Sequence, residues 1–132
     1  MNPFAPLRLF PSTDRIWVGF GALAGLSAVA MAAVTAHGLD AIGPARLQMA
    51  RDAVQIQGWH ALALVGCGLW VRRGGALAEW AGAAITLGLL VFCGAVYALA
   101  LCGVRLGGLA PAGGMLLMLG WLLLALSALR AD

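Results

Sequence analysis

Charge is what this sequence has least of. Only 10% of its 132 residues are charged, and lysine is missing altogether, so all eight basic residues are arginines. A soluble domain carries about a quarter charged residues and is about half apolar. Here 63% of the chain is apolar, and mean hydropathy is +0.97. So little polar surface cannot cover a water-exposed globule, which excludes catalysis on a large soluble domain. The arginines are scattered at segment ends, which is a topology pattern and not a nucleic-acid patch. The three cysteines, Cys67, Cys93 and Cys102, all lie in apolar stretches. An odd number of such thiols makes no disulfide framework and reads as small apolar packing. No acidic pair falls inside an apolar stretch: Asp14, Asp40, Asp52 and Glu79 stand at segment ends. That speaks against a proton-coupled transporter of the usual kind.

The chain reads as a single all-α membrane domain over residues 1–132, a four-helix bundle of four spans. Span 1 is Ile16 to Ala36, 21 residues without charge, and about 20 helical residues cross a hydrocarbon core. Ser12, Thr13 and Asp14 offer it helix caps. A secretory signal is the rival reading, since Val34-Thr35-Ala36 resembles a cleavage site. The stretch is longer than the roughly 7–15 residues of a signal core, so it reads as an uncleaved anchor. Span 3 covers residues 80–101. Span 4 covers residues 109–129, with Pro111 in its first turn, where a missing N–H costs nothing.

Span 2 is harder. The uninterrupted apolar run from Trp59 to Val71 has 13 residues, too few to cross. Counted back from Val71, a full crossing reaches Asp52, and Gln55, Gln57 and His60 enter the membrane with it. Gly43-Pro44 is an earlier start signal. A short amphipathic segment, or a kinked extension of the span, is therefore expected between helices 1 and 2. Gln57, His60, Leu64 and Cys67 follow a helical stride on one face. That face should turn inward, because a polar group facing lipid is costly.

Trp17, Trp70 and Trp80 fall at one boundary, as an aromatic belt would. At about 1.5 Å per residue from that belt, Ser27, His60 and Trp121 share a middle layer. Gln57 and Cys93 lie in the next layer, Tyr97, Thr35 and Gln55 above it, and His37 at the far rim. The candidate polar pocket is thus Ser27, His37, Gln57, His60, Cys93, Tyr97 and Trp121. The plain alternative is that His60 hydrogen-bonds Gln57 or Ser27 and ties helices together, while His37 with Gly38 caps span 1. Haem held by both histidines is disfavoured, because the two lie about 15 Å apart along the normal. No layer holds three metal ligands. No cofactor or metal is expected. Gly21-x-x-x-Gly25, Ala84-x-x-x-Gly88 and Gly113-Gly114 suit close helix packing.

Four spans put both termini on one side. That side holds Arg8, Arg15, Arg72, Arg73 and Arg130 against Arg46, Arg51 and Arg105 on the other. The positive-inside rule then places both termini in the cytoplasm.

Four blocks resemble the family called domain of unknown function 423: Ala36-His37-Gly38-Leu39, Gln57-Gly58-Trp59-His60-Ala61-Leu62-Ala63-Leu64, Phe92-Cys93-Gly94-Ala95-Val96-Tyr97, and Pro111-Ala112-Gly113-Gly114 followed by Gly120-Trp121. The resemblance implies a small four-helix protein of the bacterial inner membrane and supplies no activity. Ile56 stands where the family pattern has tyrosine, and Cys93 and Ala95 where it tends to serine, so this chain has a less polar site. The expected role is non-catalytic, through helix–helix or lipid contacts, as an accessory subunit or homo-oligomer. Membrane lipids, a second copy or a larger membrane complex are the expected partners, and nucleic acid is not. A lipid, quinone or small-molecule binder using the polar pocket is the second reading, and a minimal channel or transporter the third.

Overall fold

A computed structural model describes residues 13–130. The Ser12 cap, Arg8 and both terminal tails lie outside the described residues. Among those described, the secondary structure is entirely helical: α1 (Thr13–His37), a single 3-10 turn (Asp40–Ile42), α2 (Pro44–Cys102) and α3 (Leu109–Leu129). All three α-helices are long and apolar enough to cross a membrane.

Three helices stand where four were expected, because spans 2 and 3 form one element of 59 residues. Laid out straight it would reach about 88 Å, far beyond a hydrocarbon core of about 30 Å. It does not run straight. Gly75 adopts φ 57°, ψ −146°, a conformation essentially reserved for glycine, and the chain folds back there. Two hydrogen bonds across the fold prove the reversal. Arg46 Nε donates to the Ala100 carbonyl at 2.8 Å, and the Tyr97 hydroxyl donates to Gln57 Oε1 at 2.8 Å. The gap between expected spans 2 and 3 therefore shrinks to one residue of non-helical backbone. We call residues 44–74 the first arm and residues 76–102 the second.

The expected amphipathic segment is not a separate helix. Pro44 sits in the first turn of α2, and its fixed φ suits a helix start. From there the first arm runs on, so that segment is simply the beginning of the arm. At the other end, Gly103 (φ 73°) closes α2 in the left-handed conformation, with backbone N–H bonds back to Leu99 and, from Val104, to Ala98.

Both α1 and α3 pack on this hairpin, and their broad contacts are with α2. Close approach depends on missing side chains. A Cβ on Gly21 would lie 2.7 Å from the Ala61 carbonyl oxygen, and one on Gly113 would lie 2.5 Å from the Phe92 nitrogen. Without a hydrophobic drive between helices in lipid, such backbone proximity is what holds them together. The shared core is made of Leu64 and Cys67 from the first arm, Ile85, Leu89 and Cys93 from the second, and Leu117 from α3. Each helix turns a broad apolar face outward, as Leu23, Leu62, Leu90 and Leu122 show.

The tryptophans fasten the ends near Gly75. Trp17 Nε1 donates to Glu79 Oε2 at 2.9 Å, and its ring lies over Gly82. Trp70 Nε1 donates to Ser127 Oγ at 3.0 Å. Trp80 faces outward. Beside them Arg72 bridges to Asp14 at 2.7 Å, joining the turn to the start of α1.

Candidate functional site

The helical stride in the first arm decides which polar side chains enter the bundle. Gln57, His60, Leu64 and Cys67 are all buried, whereas Gln55, two residues before Gln57, is exposed. Two polar groups three residues apart are then aimed at different helices, and they make two separate clusters.

The first cluster surrounds Gln57. Its amide nitrogen lies 3.0 Å from the Ala24 carbonyl and 2.6 Å from Ser27 Oγ. A carbonyl only accepts, so the nitrogen must face Ala24, and Oε1 is left to receive the Tyr97 hydroxyl. Ser27 in turn donates to the Ala24 carbonyl at 3.0 Å. One amide thus links α1, the first arm and the second arm, with both donors and its oxygen engaged. Cys93, buried nearby, contacts the Ala53 carbonyl through its thiol at 3.7 Å.

The second cluster surrounds His60. Nδ1 lies 2.7 Å from the Ile56 carbonyl, and Trp121 Nε1 lies 3.0 Å from Nε2. A carbonyl cannot donate and an indole N–H cannot accept. Nδ1 therefore carries the hydrogen, and Nε2 is a bare acceptor. The imidazole is neutral and both ring nitrogens are occupied. The rings meet edge to face at 6.0 Å. The partner expected for His60 was Gln57 or Ser27. The structure supplies Trp121 instead, because residue 60 projects toward α3 while residue 57 projects toward α1. A metal approaching Nε2 would have to displace the indole.

The seven expected pocket residues therefore do not form one pocket. A cleft of about 480 Å³ between α1 and the second arm takes in Ser27, Gln57, Cys93 and Tyr97. His60 and Trp121 do not line it. His37 is exposed at the end of α1 and takes no part. The rest of the cleft is largely apolar, including Leu64, Leu89 and Leu90. One of its lining residues had no signal in the sequence. Thr86 has a buried Oγ1 without a hydrogen-bond partner among the described residues. A lone threonine in an apolar helix is unremarkable until the neighbouring walls are known. Among the described residues there is no group of three or more metal-ligating side chains.

With that geometry in view, the comparisons with known proteins are consistent among themselves. Residues 31–114 match the family described as protein of unknown function (DUF423). A UPF0382 membrane protein of Staphylococcus epidermidis is 35% identical over 118 residues, covering 88% of this chain and 97% of the relative. A UPF0382 membrane protein of Staphylococcus haemolyticus is 33% identical over the same shares of both chains. The UPF0382 inner membrane protein YgdD of Escherichia coli is 31% identical over 121 residues, 89% of this chain and 92% of that one. No solved structure matches the chain.

Proposed function

Because the chain belongs to the DUF423 family of membrane proteins, we propose that it works without catalysis, through helix–helix or lipid contacts, as an accessory subunit or homo-oligomer. It resides in the bacterial inner membrane, the location that the name of its Escherichia coli relative gives for that protein. The observation that carries this reading is that the polar groups around Gln57 and His60 close on one another. His60 has a partner on each ring nitrogen, and Gln57 has two bonds to α1 and one to the second arm. Side chains committed in this way hold a bundle together, and the His60 ring nitrogens are not free for proton transfer or ligation.

The same reading has each arm of α2 crossing the bilayer, which makes four crossings at about residues 16–36, 52–71, 80–101 and 109–129. Both termini and the Gly75 turn then share a side, and the arginine count puts that side in the cytoplasm.

The test is His60→Ala, purified in mild detergent beside the wild type and compared by thermal melting and native mass spectrometry. Loss of the two bonds should lower the melting temperature by roughly 4 °C for each 1 kcal/mol lost, with the bound masses unchanged. A variant that melts like the wild type but has shed a bound small molecule would overturn the structural role. A second reading, a binder of lipid, quinone or another small molecule, is favoured by the cleft that Gln57 and Tyr97 help line.

A further inference from the structure

The cleft between α1 and the second arm has features that packing alone does not need. It is lined by Thr86, Leu90, Gly94 and Tyr97 along the second arm, and by Leu23 and Ser27 along α1. A Cβ placed on Gly94 would meet nothing within 4 Å. Leu23 and Leu90, on facing walls, are 64% and 69% exposed, so the cleft opens sideways into the surrounding medium. In a membrane, that medium is lipid.

Its length and depth are specific. Thr86 lies six residues beyond Trp80, about 9 Å along the arm. Headgroups occupy about 5–7 Å on each side of the hydrocarbon core. With Trp80 among them, Thr86 falls about 2–9 Å inside the hydrocarbon. Tyr97 lies eleven residues further, about 16 Å on, close to the roughly 15 Å of hydrocarbon in one leaflet. Among the described residues Thr86 Oγ1 is buried without a partner at the shallow end, where a buried hydroxyl without a hydrogen bond is costly. At the deep end the Tyr97 hydroxyl has given its hydrogen to Gln57.

We infer that this cleft is a binding site for one acyl chain of a membrane glycerolipid, drawn from the leaflet marked by Trp17, Trp70 and Trp80. The chain lies along Leu89, Leu90 and Gly94, with its ester end toward Thr86 and its methyl end toward Tyr97. The inference rests on the lipid-contact part of the proposed function and names the lipid class.

The experiment uses the full chain in phosphatidylglycerol vesicles doped with phosphatidylglycerol carrying a diazirine midway along one acyl chain. After illumination, crosslinked peptides are mapped by mass spectrometry. Crosslinks are expected to concentrate on the peptides bearing Leu23, Leu90 and Gly94. Gly94→Phe should reduce them at least fivefold, and so should Leu23→Trp on the facing wall. Gly66→Phe, which fills open space away from the cleft, should leave them unchanged. Equal labelling of all outward faces, or a yield indifferent to Gly94→Phe in protein whose melting is unchanged, would overturn the site. Either result leaves the non-catalytic reading standing, since that reading is decided by His60→Ala.

Discussion

At the scale of single residues, the informative contrast is between two glutamines. Gln55 and Gln57 are chemically identical and two positions apart, yet one is exposed and the other links three helical segments. Gln57→Leu should destabilise the protein by about 1–3 kcal/mol, because the Tyr97 and Ser27 hydroxyls lose a buried partner. Gln55→Leu should change stability by less than about 0.5 kcal/mol. Unfolding in mixed micelles of increasing sodium dodecyl sulfate measures both, and equal effects would contradict the placement of residue 57. The histidine allows a cleaner measurement. In a double-mutant cycle with His60→Phe and Trp121→Phe, the coupling should be about 0.6 kcal/mol, within the range for hydrogen bonds between helices in lipid. The helical stride in the sequence was enough to turn Gln57 and His60 inward. It could not reveal their partners, because depth along a helix fixes one coordinate and says nothing about which neighbouring helix occupies that bearing.

At the scale of elements, packing is decided where glycine lets backbones touch. Gly113→Ala places a methyl group 2.5 Å from the Phe92 nitrogen, and neither backbone can yield without moving a helix. That variant should lose several degrees of melting temperature and give a poorly dispersed size-exclusion profile. Gly66→Ala, with nothing within 4 Å, should behave as the wild type. Gly75 makes a different demand. Space around it is open, so Gly75→Ala tests backbone conformation alone and should cost about 1–3 kcal/mol. The long apolar runs showed in the sequence that residues 52–71 and 80–101 are separate stretches. The tightness of the turn was not legible there. Arg72, Arg73 and Gly74 are as polar or as flexible as a loop would require, and only the backbone itself shows that helix persists on both sides of one glycine.

At the scale of the whole molecule, the prediction concerns sidedness. In a cysteine-free background, a cysteine replacing Arg73 and another replacing Arg105 should fall on opposite faces of the membrane. With intact cells and an impermeant maleimide, Arg105→Cys should react and Arg73→Cys should react only after permeabilisation. Labelling of both in intact cells would show that the second arm does not cross. The family resemblance was readable in four short sequence blocks and extends over most of the chain. The cleft was not, since its walls come from α1 and the second arm, separated by a whole helical segment in sequence.

The reversal at Gly75 also bears on how the molecule comes together. The two arms are neighbours in sequence and can zip up as a unit soon after synthesis, giving α1 and α3 a ready-made platform to dock against. Continuity of the peptide between platform and outer helices is then dispensable. A gene split within residues 103–108 should yield two fragments that find each other in the membrane and co-purify, whereas a split at Gly75 should not.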